Sequence, residues 1–349
     1  MNDYITIAGL ALIMSLTLFL PFSVKKVEEE LESFLFVMGL AAVTISGQWA
    51  FSLIRDAFSE PVKITMAVLV LGFAFRAARP RLKGWLEKLI KALGIRWAIF
   101  TIILVLGLGS SLMTAIIAAL ALAEIITLLK LERGYEIKIV IYACYAIGLG
   151  AALTPIGEPL STIAVAKLKE PPHSADFFYL LNQLGIWVIP GVFLTAFLGS
   201  RGAGQTASHK PGLSEDAVET NKSIVLRGIK VYVFVMALIL LGAGLTPLAE
   251  RFVPHMSTWA LYWANSISAI LDNATLAAAE LVPSMTDRQV KFVLMGLLIS
   301  GGMLIPGNIP NIISASKLKI KSGEWARTAV PYGAFLMLGY FILLSIFVK

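Results

Sequence analysis

Two stretches of the chain, 149–169 and 300–319, are variants of one another. Gly157, Ile163, Lys167, Leu168 and Lys169 recur 150 positions later as Gly307, Ile313, Lys317, Leu318 and Lys319. Gly150, Leu153 and Pro155 recur 151 positions later as Gly301, Leu304 and Pro306. Both copies set Pro, Gly and polar side chains in the middle of an apolar run long enough to cross a bilayer. Few folds accept that. A backbone interrupted at membrane depth survives only where protein or a water-filled cavity covers its freed polar groups. Two such interruptions in corresponding halves are the sequence pattern of a secondary transporter's substrate site.

Composition agrees with a membrane protein. Of 349 residues, 58% are hydrophobic and 15% charged, with mean hydropathy +0.81. Soluble chains carry about 45–50% apolar and about 25% charged residues. The one cysteine, Cys144, lies in an apolar run, so no disulfide framework or Cys-based metal site is expected. His173, His209 and His255 fall in loops, without metal-ligand spacing, and no nucleic-acid motif is visible. Lysines and arginines on cytoplasmic loops account for the net charge of +7 without an acidic partner. Residues 1–4 lack the basic start of a signal peptide and the first span lacks a small-residue cleavage site, so that span reads as a membrane helix.

The expected fold is an all-α polytopic membrane protein with about eight full spans and two re-entrant hairpins. The spans fall at 4–22, 34–51, 62–78, 140–168, 177–198, 229–248, 290–316 and 329–348. Span 140–168 is interrupted at 154–161, and span 290–316 at 306–311. Segments 97–129 and 258–282, broken at 107–111 and 266–275, read as hairpins that dip in and return. The alternative for 97–129 is one tilted, kinked span. With hairpins, the cytoplasmic loops hold 21 of the 29 Lys and Arg residues. A crossing at 97–129 would instead put the basic stretches 76–96 and 130–138 on opposite sides, which the positive-inside rule disfavours. The chain then divides into extra N-terminal spans (1–60, a scaffold or dimer contact), a first repeat (61–199), a cytoplasmic linker (200–227) and a second repeat (228–349). Each repeat crosses three times, so the two have inverted topology and their broken helices meet near the midplane.

The breaks supply the candidate site. The first hairpin tip offers Ser110, Ser111 and Thr114; the first broken span offers Thr154, Gly157, Glu158, Ser161 and Thr162. The second tip offers Ser266, Ser268, Asp272, Asn273 and Thr275; the second broken span offers Gly307, Asn308, Asn311 and Ser314. Nearly all are oxygen donors, which suit hard cations. A carboxylate at membrane depth costs about 2.5–3.5 kcal/mol on insertion scales and marks an ion or proton path. Glu158 and Asp272 provide one from each half, and no Lys or Arg stands at any break. Two acids without a basic residue favour a cationic substrate. A sodium ion would be held by Asp272, Asn273, Glu158 and Asn308, and protons would compete for the carboxylates.

At these residues the chain resembles the ion transporter superfamily. The resemblance lies in TPIGEP at 154–159, Asp272-Asn273 in a broken hairpin, and PGNIPN at 306–311. That superfamily includes sodium-coupled dicarboxylate symporters, arsenite-pump-type proteins and NhaD-type sodium/proton antiporters. The chain is most similar to a small family of cation-transporter-like proteins with no assigned function. NhaD-type antiporters carry a Pro-Ile-Gly-Asp stretch, matched by Pro155-Ile156-Gly157-Glu158, and an Asp-Asn pair, matched by Asp272-Asn273. Dicarboxylate symporters carry Ser-Asn-Thr at both tips. Here the first tip, 110–114, has no Asn and no acid, which weakens the carboxylate reading and leaves this tip poorer than an NhaD-type one. Relatives of this fold imply a homodimer.

Blander roles compete. Ser110, Ser161, Thr162 and Ser314 satisfy freed backbone groups as readily as they ligate. Glu124 and Glu280 are expected near the interface or paired with a neighbour, Lys167 and Lys317 as snorkelling anchors, and Gln48, Asn182 and Gln183 as partners between helices. The reading that results is a multi-pass protein of the cell (plasma or inner) membrane that exchanges sodium for protons. Its partners are the bilayer, a small inorganic cation and protons, with no cofactor and no nucleic acid. A sodium-coupled symporter of a small anion, and a membrane protein that transports nothing, are the alternatives. No nucleophile–base pair suggests an enzyme.

Overall fold

The computed structural model describes residues 3–24, 26–27, 30–129, 131–201, 221–252, 256–266 and 273–348. Among them every regular element is a helix. Five helices are long and apolar enough to cross a membrane. Their outward faces carry bare aromatic and aliphatic side chains: Phe19, Phe51, Ile186 and Phe347 are each more than 60% exposed. An apolar exterior around a tightly packed interior marks an all-α membrane protein.

Helices α1 (Asp3–Ser23) and α2 (Leu31–Ser46) pack together, and α2 lies along α8 (Asn221–Phe252). Small residues, Gly39 against Ala237 and Leu240 and Ala42 against Gly244, let α2 and α8 approach closely. Helix α3 (Phe51–Met113) starts well before the expected span at 62, because the chain stays helical through Pro61. It turns sharply at Gly94, whose φ of 76° is open to glycine without a steric penalty.

Helix α3 ends later than the glycines at 107–111 suggest. Ser110 and Ser111 donate to the carbonyls of Gly107 and Leu108, at 2.6 and 2.7 Å, so the helix absorbs them. It ends only at Thr114, a β-branched residue at φ 72°, ψ 147°. Such a conformation costs on the order of 1–3 kcal/mol and persists only where its surroundings enforce it. Here the amide of the next residue, Ala115, donates to the Gly157 carbonyl at 2.8 Å. Helix α4 (Ala115–Leu129) follows, and its Glu124 meets Arg79 at 3.5 Å and Lys317 at 2.5 Å.

Helix α5 (Arg133–Ala151) lies beside the end of α3: Gly107 faces Ala146, and Ser110 also donates to the Ile147 carbonyl at 2.9 Å. The contact requires glycine at 150, where a Cβ would stand 1.9 Å from the Gly107 carbonyl oxygen. After a non-helical stretch come α6 (Pro159–Lys167) and α7 (Tyr179–Ser200). The second half has α9 (Thr258–Ala264), α10 (Asn273–Glu280), α11 (Asp287–Ser300), a 3-10 turn (Ile305–Gly307), α12 (Ile309–Leu318) and α13 (Ser322–Phe347). The short helices cross between halves: α6 packs on α10, and α12 packs on α4. Arg133 reaches Glu324 at 3.2 Å and the Lys319 carbonyl at 3.3 Å. Elsewhere His173 joins the loop after α6 to the loop before α11, its Nε2 2.8 Å from the Met285 carbonyl and its Nδ1 3.1 Å from Asp287.

Candidate ion-binding site

Both breaks expected from the sequence are present, and they are built from the same bonds. Four amide-to-carbonyl bonds of the first break are Ala152 to Leu149, Leu153 to Gly150, Gly157 to Thr154 and Ser161 to Glu158. They return 150 positions later as Gly302 to Ile299, Met303 to Ser300, Gly307 to Leu304 and Asn311 to Asn308. One side-chain bond repeats too: Ser161 donates to the Ala151 carbonyl at 3.2 Å, and Asn311 donates to the Gly301 carbonyl at 2.9 Å. The hydrogen bonds keep a spacing of 150 throughout, so Gly150 aligns in space with Ser300 rather than with Gly301.

Proline explains where each helix restarts. Pro159 and Pro310 stand in the first turns of α6 and α12, where no intrahelical donor is lost. The residue before each helix is extended: Glu158 at φ −155°, ψ 162° and Asn308 at φ −155°, ψ 146°. Neither side chain caps its own helix, and both are buried. The first half thus offers a carboxylate where the second offers an amide.

The structure brings the expected residues together in two groups. Around the first break, Thr154 Oγ1 donates to the Ser111 carbonyl at 2.5 Å, while Ser110, Ser111 and Thr114 lie at the end of α3, next to Ala115, which bonds Gly157. Thr114 Oγ1 accepts from the Ile117 amide at 3.4 Å. Around the second break, Asn273 and Asn311 converge on Gly301. Asn273 Nδ2 lies 3.5 Å from where a Cβ on Gly301 would stand. Asn311 Nδ2 also bonds the Leu304 carbonyl at 2.9 Å. Asn308 links the groups, its Nδ2 2.9 Å from where a Cβ on Gly148 of α5 would stand. Trp325, fully buried on α13, fixes this loop by donating to the Gly302 carbonyl at 3.2 Å. Asp272 and Ser268 lie outside the described residues, as do most of the linker and the side chain of Thr275.

Asn311 Oδ1 and Asn273 Nδ2 are buried at this site without a hydrogen-bond partner among the described residues. Because Asn311 spends its amide nitrogen on two carbonyls, its oxygen is left as an acceptor, fit for a cation or a donor. The hydroxyls of Ser110, Ser161 and Ser314 are occupied by the protein itself, Ser314 by Cys144 Sγ at 3.4 Å. Their first role is to cover freed backbone or neighbouring side chains.

Sequence reading placed Lys317 as an interfacial anchor. Its side chain is instead 4% exposed and locked to Glu124, itself 1% exposed. Gln183, expected to reach another helix, bonds Tyr179 of its own α7. Glu280 and Asn265, left out of the site, are hydrogen-bonded to each other, and both are buried. Their signal was the repeat of Ala277-Ala278-Ala279-Glu280 on Ala121-Leu122-Ala123-Glu124.

No curated protein matches this chain at a level that marks a relative. One family model matches residues 7–347, nearly the whole length, and its description is Protein of unknown function (DUF1646). The chain belongs to that family.

Proposed function

We propose that this protein is a secondary active transporter that exchanges sodium for protons by alternating access. The observation that carries the reading is the doubled break: one hydrogen-bond pattern built twice at a spacing of 150, with a buried Glu158 at one copy and Asn308 at the other. A polypeptide keeps two costly interruptions of apolar helices when their freed carbonyls, amides and half-helix ends serve a ligand. No Lys or Arg stands in either break to offset Glu158 or the Asp272 beside Asn273. Sodium bound to ionised carboxylates, protons bound in its absence, and reorientation of only the occupied forms together give exchange.

On this reading the architecture is eight spans with hairpins 97–129 and 258–282, in two inverted repeats. It is housed as a homodimer in the cell membrane and belongs with the ion transporter superfamily. The Arg79–Glu124–Lys317 cluster supports the first hairpin, because it joins the return arm of the hairpin to the end of the span before it. Cysteines introduced at Lys88 and at Arg133 should therefore label from one and the same face of the membrane. Labelling from opposite faces would remove the hairpin and the inversion with it.

A sodium-coupled symporter of a small anion is the second reading. It draws on the N-termini of α6 and α12 at the breaks and on the unpartnered amide donor of Asn273. Purified protein in proteoliposomes separates the two. With a pH gradient imposed, added sodium alone should move protons. Sodium uptake that begins only when a dicarboxylate or inorganic anion is supplied would replace the antiporter with the symporter.

A further inference from the structure

The two halves of the chain hold one buried glutamate each on a short helix, and the structure gives them different partners. Glu124 on α4 is buried and paired with Lys317, in the last turn of α12, and with Arg79. Glu280 on α10 is also buried, at 3% exposure. Asn265 hydrogen-bonds it, and its Oε2 has no hydrogen-bond partner among the described residues. One of the helices packed on α10 is α6, whose last turn carries Lys167, the residue 150 positions before Lys317. Lys167 is exposed.

Among the described residues no Lys or Arg on the packed elements hydrogen-bonds Glu280 Oε2 in place of Lys167. Helix α8 carries Lys222, Arg227 and Lys230 in its first ten residues, and Arg251 in its last turn; Lys230 pairs with Glu32, and Arg251 is exposed. Helix α11 opens with Asp287, Arg288 and Lys291; Asp287 faces His173, and Arg288 lies over the Phe292 ring. The titratable group of α9 is Tyr262, whose hydroxyl donates to the Met337 carbonyl. A carboxylate buried with one amide and no cation costs several kcal/mol as an ion, so it is kept by binding a proton.

We propose that Glu280 is a proton-binding site of this protein, filled while Lys167 is turned away and emptied when Lys167 swings in to pair with it as Lys317 pairs with Glu124. This deepens the exchanger reading and rests on it. In an inverted-repeat transporter each half adopts the other's arrangement in the opposite-facing state. The Lys317–Glu124 pair then opens as the Lys167–Glu280 pair closes. On closing, the O–H bond of the Glu280 carboxylic acid breaks and its proton passes to water on that side, while the carboxylate left behind pairs with the Lys167 ammonium.

Infrared spectra of the detergent-purified protein at neutral pH test the proton directly. Wild type should show the carbonyl band of protonated carboxylic acid, and one component of that band should disappear in Glu280→Gln and stay in Glu124→Gln. Glu280→Gln preserves an acceptor for Asn265, so the fold should survive, which sodium binding to the same sample checks. In proteoliposomes the same variant should lose sodium-driven proton movement. Cysteines at 167 and 280 should be joined in membranes by a thiol-reactive cross-linker about as long as the lysine and glutamate side chains it replaces, since a disulfide itself reaches only Cα atoms within about 7 Å. A carboxylic-acid band unchanged in Glu280→Gln, or cysteines that never cross-link, overturns the proposal. Wild-type vesicles that exchange no ions overturn the transporter reading instead, while the infrared band still decides whether Glu280 holds a proton.

Discussion

The corner around Glu124 and the corner around Glu280 are built from like elements, a glutamate on one short helix packed by another short helix that ends in lysine, yet they differ in charge balance. In the first, a carboxylate, an ammonium and a guanidinium lie together under the protein surface. In the second, a carboxylate sits with an amide while the matching lysine faces outward. Sequence supplies both corners with the same partners, Glu on a return helix and Lys at the end of a half-helix. The difference lies in where the lysines go, Lys317 buried against Glu124 and Lys167 exposed, and it teaches that like residue types in like elements need not make the same contacts.

The largest expected effect comes from breaking the closed corner. Lys317→Met strips the main partner from a fully buried carboxylate and should cost about 3–5 kcal/mol, read as a large fall in Tm in detergent. Lys167→Met removes an exposed charge and should change stability by no more than about 0.5 kcal/mol. Equal shifts would mean that the corners are alike in solution and that the asymmetry is not a property of the resting protein.

The helix crossings give a smaller contrast. Gly150→Ala drives a methyl into the Gly107 carbonyl, 1.9 Å away, and should destabilise by up to about 3 kcal/mol. At Gly301 the nearest atom to a new Cβ is 3.0 Å away, so Gly301→Ala should cost less than about 1 kcal/mol, measured by the same melting curves.

The smallest contrast is within the doubled break. Asn311→Ala leaves the Gly301 and Leu304 carbonyls short of a donor and should cost about 1–2 kcal/mol. Ser161→Ala loses one longer bond and should cost about 0.5–1 kcal/mol. If the order is reversed, the second break is the more loosely held of the two.

Much of the framework was legible because breaks are written in local chemistry. Pro159, Pro310 and the glycines at 150, 157, 301 and 307 fix where helices stop and restart, and the doubled spelling reveals which breaks correspond. The helix end at Thr114 was not legible. Gly107, Gly109, Ser110 and Ser111 look like breakers, yet their glycines serve close packing and their hydroxyls bond within the helix, while a threonine takes the positive φ under tertiary restraint. The burial of Lys317 was equally hidden. A lysine at a helix end snorkels by default, and only the approach of α12 to α4 from the other half places Glu124 beneath it.

The central claim is that one set of carboxylates binds sodium and protons in competition. The most direct test is to add sodium chloride to purified protein in a weakly buffered detergent solution, without organic anions, and record the pH. Sodium should release protons, and its apparent affinity should fall as the starting pH is lowered, because protonated carboxyl groups do not ligate it. Glu158→Gln should reduce the release. Sodium binding that liberates no protons, or that needs an anion to occur, would contradict the account.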